Sequence, residues 1–187
     1  MSTPFSTSWL PALMALGGLA LGGCHPRGGH VAVRQRELMH TSFEDFKGWA
    51  PEIVPLLATD KAHSGKFSLR VDPRQAYSPT FRAEIGKLCP THRPRRFTLS
   101  AWVWVPSSDD EAAIVLGIAN PNDLDHPFLR KTMYLSDGGP FRQWKYVSRD
   151  IDMPADIHAN SQLTIYLWKS NADEPVYADD LQLTELW

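Results

Sequence analysis

Two cysteines, Cys24 and Cys89, in 187 residues leave no room for a disulfide framework. Neither stands in a Cys/His spacing that resembles a zinc site, and the seven histidines are scattered as surface or turn residues would be. A long amphipathic helix pattern is missing, which argues against a helical bundle. No internal repeat or low-complexity block occurs. The formal net charge of −2 supplies no field that would recommend nucleic acid as a partner. The one basic cluster, His92-Arg93-Pro94-Arg95-Arg96, is local. It reads as a solvated loop between strands, with an anionic ligand or a lipid headgroup as the alternative. No nucleophile motif and no base with an evident partner can be found. Asp109, Asp110 and Glu111 sit in a predicted loop and read as solvating, although carboxylates from separate strands can still meet in space, as a glycosidase requires.

What the chain does have begins at its first residues. Residues 9 to 24, WLPALMALGGLALGGC, form an apolar run of signal-peptide length, shorter than a membrane span. The ending Leu21-Gly22-Gly23-Cys24 resembles a bacterial lipobox, which implies cleavage before Cys24 and lipidation of that cysteine. Residues 1 to 8 depart from the pattern, because they contain no Lys or Arg. An ordinary secretory signal or a short membrane-tethering helix is the alternative. With Cys24 acylated, Cys89 has no intrachain partner and reads as a buried or loop thiol. The expected organisation is a signal peptide over 1 to 23, a Pro/Gly/charge-rich tether over 24 to 37 and one domain over 38 to 187. The implied location is the bacterial cell envelope, anchored to a membrane by lipid. His25 after the cysteine is compatible with outer-membrane placement under the sorting rule of enteric bacteria.

Strand-like segments dominate the domain: 38 to 46, 66 to 72, 79 to 86, 97 to 105, 112 to 119, 144 to 152, 162 to 169 and 175 to 186. Eight short strands separated by turn chemistry, as in Asp137-Gly138-Gly139-Pro140, indicate an all-β sandwich or jelly roll. In FTLSAWVWV, Phe97, Leu99, Ala101, Val103 and Val105 share one face, and Thr98, Ser100, Trp102 and Trp104 the other. In QLTIYLWKS, Leu163, Ile165 and Leu167 form the core face, leaving Gln162, Thr164, Tyr166 and Trp168 outside. Aromatics beside Gln and Thr suit a sugar ring, which needs an apolar platform for its C–H face and polar groups for its hydroxyls. Equally, such rings fill a sheet surface or lie under a loop.

The last segment, PVYADDLQLTELW, poses a separate question. Strict alternation puts Tyr177, Asp179, Leu181 and Leu183 on one face and Val176, Ala178, Asp180 and Gln182 on the other, so Asp179 shares the leucine side. A carboxylate there must reach water, cap a turn or meet a cation.

The blocks Thr41-Ser42-Phe43-Glu44-Asp45-Phe46-Lys47-Gly48-Trp49, His63-Ser64-Gly65-Lys66-Phe67-Ser68-Leu69-Arg70-Val71, Phe97 to Val103, Gln143-Trp144-Lys145-Tyr146-Val147 and Val176 to Leu181 together resemble carbohydrate-binding modules of families 4 and 9 and the wider galactose-binding-domain-like jelly rolls. The resemblance spans residues 38 to 187 and is more specific for fold than for sugar binding. It implies a structural Ca²⁺ held by Glu44, Asp179 and backbone oxygens around Ser64 and Lys66. It also implies a ligand cleft on the sheet containing segments 79 to 86, 112 to 119 and 162 to 169. The outward residues there include Thr80, Arg82, Glu84, Gln162, Tyr166 and Trp168, with Asn120 in the following loop. Arg82 and Glu84 either orient hydroxyls or form a solvated pair. Trp102 and Trp104 fall on the opposite sheet, which favours Trp168 as the platform. The functional expectation is a non-catalytic, envelope-anchored protein that binds a polysaccharide or oligosaccharide. The alternatives are a structural or adhesive lipoprotein contacting another protein, and a jelly-roll glycosidase or lyase.

Overall fold

The computed structural model describes residues 34 to 45 and 56 to 187. Cys24 and the signal-peptide run therefore lie outside the described residues, as does most of the tether. The strands are β1 (Gln35–Thr41), β2 (Leu69–Val71), β3 (Phe81–Glu84), β4 (Arg96–Trp104), β5 (Glu111–Ala119), β6 (Leu129–Tyr134), β7 (Trp144–Asp152), β8 (Gln162–Asn171) and β9 (Val176–Leu186). One helical turn, α1 (Ile85–Leu88), follows β3. They form a β-sandwich of two antiparallel sheets. One runs β1-β9-β4-β7 with β2 also on β9, and the other runs β3-β8-β5-β6.

The alternation of β4 and β8 explains the packing. Phe97, Leu99, Ala101 and Val103 of β4 meet Leu163, Ile165 and Leu167 of β8 in a single core, each 1 % exposed or less. Strand β5, EAAIVLGIA, is buried on both faces after its first residue. An apolar run of this length fits a central strand flanked on both sides by other strands.

Four local expectations change. Segment 38 to 46 is strand only from Gln35 to Thr41, so residues assigned to the tether belong to the sheet. Their charge misled: Glu37 faces outward, but Arg36 reaches the carboxylate of Glu185 at 2.9 Å. Segment 79 to 86 is a four-residue strand that passes into α1. Strand β6 was not anticipated, because Leu129-Arg130-Lys131-Thr132-Met133-Tyr134 is an edge strand with little apolar content. Asp110 is buried rather than solvating. Its carboxylate accepts hydrogen bonds from the Ser107 hydroxyl (2.6 Å) and the amides of Asp173 (3.0 Å) and Glu174 (2.8 Å), tying two loops together.

The last strand differs most from its reading. Between β4 and β9 the register shifts, Ser100 pairing with Gln182 but Trp102 with Asp179, and Asp180 takes a φ of +47°. This is a β-bulge: one extra residue on β9 reverses the phase of everything before it. Val176 and Ala178 therefore join Leu181 and Leu183 in the core. Tyr177 and Asp179 lie on the outer face, opposite Trp104 and Trp102. The inward carboxylate of this strand is Glu185, opposite Phe97, fully buried and paired with Arg36 and with His92 Nε2 at 2.8 Å. Burial, and after it the Glu185 charge, pushes the nearby Cys89 thiol up to about 11, so it stays protonated and unreactive at neutral pH.

Candidate functional site

The outer face of the four-stranded sheet is organised in rows, because strand register places every second residue of each strand side by side. One row runs Arg82, Thr164, Gly117, Arg130 across all four strands. The next contains Tyr166, Val115 and Thr132. A third carries Tyr77, Trp168, Ala113 and Tyr134, with Tyr77 attached to β8 by an isolated bridge. On the other side of the arginine row lie Glu84, Gln162 and Ala119. At roughly 6.8 Å between rows the face extends about 20 Å.

The floor is low because β5 contributes only Ala113, Val115, Gly117 and Ala119 to it. A Cβ on Gly117 would come within 2.9 Å of Thr164 Oγ1, so any side chain there would collide with the neighbouring strand. Over this floor opens a cleft of about 220 Å³. Arg82 and Thr80 line one side, Tyr166 and Thr164 the middle, and Arg130 with the loop residues Leu124, Asp125 and Pro127 the other side. Neither Arg82 nor Arg130 has a hydrogen-bond or ion-pair partner among the described residues. Tyr77, 60 % exposed, stands 6.0 Å from the Tyr166 ring and Tyr134 is 45 % exposed, so aromatic surface continues beyond the cleft.

Of the six residues expected to bind ligand, Tyr166 and Arg82 line the cleft. Trp168 lies one row further on, half-buried between Tyr77 and the Ala113 position. Glu84 does not pair with Arg82; Lys87 lies 3.5 Å from it, one turn along α1. Gln162 donates to the Asn160 carbonyl at 2.9 Å. Asn120 is exposed in a tight turn, where its carbonyl accepts the Asp123 amide at 3.0 Å. Sequence reading missed Arg130, Asp125, Tyr77 and Tyr134. Arg130 and Tyr134 belong to the unrecognised β6, and an outward alternation Arg130, Thr132, Tyr134 was the available signal.

The proposed cation ligands occupy the other sheet. Asp179 Oδ2 accepts the amides of His63 (2.8 Å) and Ser64 (3.0 Å), and its Oδ1 accepts that of Asp180 (2.7 Å). Burial pushes this carboxyl above its ordinary range, against the pull of those amides. Glu44 Oε1 accepts the amides of Lys66 (2.7 Å) and Phe67 (2.9 Å), while its second oxygen has no partner among the described residues. Ser64 donates its hydroxyl to Asp180 Oδ1 at 2.6 Å, and His63 Nδ1 lies 2.6 Å from Asp180 Oδ2. The turn thus meets Asp179 with N–H groups where carbonyl oxygens were expected. Among the described residues no three His, Cys, Asp or Glu side chains group as for a metal.

This sandwich, with a shallow polar and aromatic trough on its four-stranded sheet, has the fold of carbohydrate-binding modules. It is similar to the CBM22-2 xylan-binding domain from Paenibacillus barcinonensis Xyn10C, at TM-score 0.54 and 18 % identity over 79 % of this chain and 99 % of that one. It is also similar to the C-terminal family 22 module of Clostridium thermocellum Xyn10B, at TM-score 0.52 and 17 % identity over 79 % and 91 % of the two chains. Against the tandem CBM22-1–CBM22-2 domain of the Paenibacillus protein the TM-score is 0.55 at 19 % identity, covering 81 % of this chain and half the length of the tandem. No protein-family description and no curated protein matches the sequence. At these identities the likeness is one of fold, and it is to family 22 where the sequence resemblance named families 4 and 9.

Proposed function

We propose that the domain binds a glycan chain along the outer face of the four-stranded sheet, without cleaving it, and that the lipid on Cys24 holds it at the bacterial cell envelope. One observation carries this reading: Tyr166 lies beside two partnerless arginines and the Thr80 and Thr164 hydroxyls, over a floor of small residues. A ring platform bordered by unpaired guanidinium donors and hydroxyl groups is what a pyranose chain requires. The family 22 structures with the same fold include xylan-binding domains, so a xylan-type backbone is the first ligand to try. Asp125 is the carboxylate among the cleft-lining residues, whereas glycoside hydrolysis uses a pair. Affinity electrophoresis against xylans, β-glucans and mannans tests the reading. Retardation that disappears in Tyr166→Ala supports it, and absence of binding to every polymer removes it. For the anchor, intact mass of the membrane fraction is expected to show an acylated chain starting at residue 24; a soluble chain cut elsewhere refutes it.

Calcium is carried as a separate proposal. The open Glu44 oxygen, next to the turn containing Ser64 and Lys66, is the group a hard cation would take first. At a hundredfold excess over Kd a bound ion adds about 2.7 kcal/mol of stability. Melting that rises with Ca²⁺, reverses with EDTA and loses this response in Glu44→Gln supports the ion; identical melting in all conditions discards it.

A further inference from the structure

Arg34, Arg74 and Arg95, like the two arginines of the cleft, have no side-chain partner among the described residues, but Arg82 and Arg130 are the pair that lines one cleft, and they differ in pairing from four others in the domain. Arg36, Arg70, Arg96 and Arg142 each hold a carboxylate, those of Glu185, Asp72, Asp152 and Glu174 respectively, at 2.9 Å or less. Arg82 and Arg130 hold none, although they stand at opposite ends of one row, three strand spacings or about 14 Å apart. Asp125, which lines the same cleft, forms an ion pair with neither. Two unpaired guanidinium groups lining one trough leave it with a concentrated positive charge that no side chain of the cleft neutralises by an ion pair among the described residues. Each presents a rigid fork of donors that matches a carboxylate in bidentate fashion, and such charge-assisted pairs are about twice as strong as neutral hydrogen bonds.

We infer that the cleft selects an acidic glycan, one whose chain carries uronic-acid carboxylates, with Tyr166 under the neutral backbone and Arg82 and Arg130 on the acid groups. The inference rests on the proposal that this cleft binds glycan, and it adds the class of chain. Both arginines border open solvent, so their attraction for carboxylates is screened by salt.

The test compares glucuronoxylan with the same polymer after chemical reduction of its carboxyl groups, using the full chain at low and at about 0.5 M salt. The acidic polymer is expected to bind about tenfold tighter or more, the scale of one charge-assisted pair. That ratio is expected to fall to about one in the Arg82→Gln/Arg130→Gln double variant and at high salt. Because neither arginine side chain has a protein partner among the described residues, the double variant's melting temperature should match wild type, which separates lost recognition from lost folding. Equal affinity for the two polymers, or a preference that survives in the double variant, overturns the inference. If Tyr166→Ala then still abolishes binding, the glycan cleft stands without its acid preference. Binding of neither polymer by wild type removes both.

Discussion

The two outer faces of the sandwich both carry aromatic side chains in alternation with polar ones, yet they differ in how many of those rings are already engaged. On the five-stranded sheet the tryptophans and Tyr177 are already engaged, while Tyr146 at 56 % exposure remains open. His63 stacks on Trp102 at 4.0 Å and 10°, Lys61 Nζ lies 3.9 Å over the Trp104 ring, and Trp144 meets Trp104 edge-on. The Tyr177 hydroxyl donates to Asp60 at 2.7 Å. At the polar end of this face Gln182 donates to Glu37 and Thr98 to Asp150, beside an open depression of about 360 Å³ bordered by Glu37, Thr98, Gln182 and Tyr146. On the four-stranded sheet the Arg82 and Arg130 side chains have no partners among the described residues, and Tyr77 and Tyr134 are largely exposed. The lesson is that alternation shows which side chains leave the core, while only the neighbouring loops decide whether those side chains are free. The 61–64 turn lies over the tryptophans of one face, fastened by the Asp179–Asp180 bulge; no such turn lies over the trough of the other among the described residues.

The largest expected effect tests that fastening. Asp179→Ala removes the acceptor of three amides beneath the turn, and at ~1 to 3 kcal/mol for each buried donor left unsatisfied the loss of stability should reach about 3 kcal/mol or more in urea unfolding. A loss below about 1 kcal/mol would mean that the turn is held by other contacts. Gly65→Ala should act on the same turn. Gly65 has φ +60°, and a Cβ there would stand 2.4 Å from Glu44 Oε1, so a cost of roughly 1 to 3 kcal/mol is expected from strain and displacement of that carboxylate.

The next contrast is between rings. Tyr166→Ala should weaken glycan binding by on the order of 1 to 3 kcal/mol with little change in melting. Trp102→Ala should do the reverse, lowering stability by about 1 kcal/mol through the lost stack with His63 and leaving retardation on xylan unchanged. If Trp102→Ala is instead the variant that stops binding, the assignment of the two faces is inverted.

The smallest effect is in acid. Burial pushes the Asp110 carboxyl up, but the Ser107 hydroxyl, the Glu174 and Asp173 amides and Arg142 together bring it below the ordinary 3.8. Its contribution is therefore complete above pH 3.8 and lost as pH falls through its lower folded value. Asp179 is raised, so its contribution is complete below 3.8 and lost as pH rises through its folded value. Stability curves of Asp110→Asn should thus be flatter than wild type on the acid side, and those of Asp179→Asn flatter above pH 3.8. Parallel curves for both variants would remove these groups from the pH dependence.

The sandwich class, the strands 97 to 105 and 162 to 169, and the division of their residues into core and outside were legible because period-two alternation reports burial directly. Placement of Tyr166 and Arg82 on one sheet, with Trp102 on the other, was implied by the resemblance to carbohydrate-binding jelly rolls rather than by the residues themselves. Residues 129 to 134 were not legible as a strand: an edge strand buries little, so its hydrophobic signal is weak, and Arg130 was missed with it. Asp179 shows the sharper limit. One bulged residue shifts the phase of a strand, and the amino-acid pattern contains no mark of it beyond an Asp-Asp doublet whose second member adopts φ +47°. Sequence alone determined which strongly alternating segments form sheets and which of their residues face away from the core. The tertiary structure decided register, and through register which carboxylate is buried in the core, which rings are covered and which two arginines are left facing a cleft, because those outcomes depend on what residues far apart in the chain set beside one another.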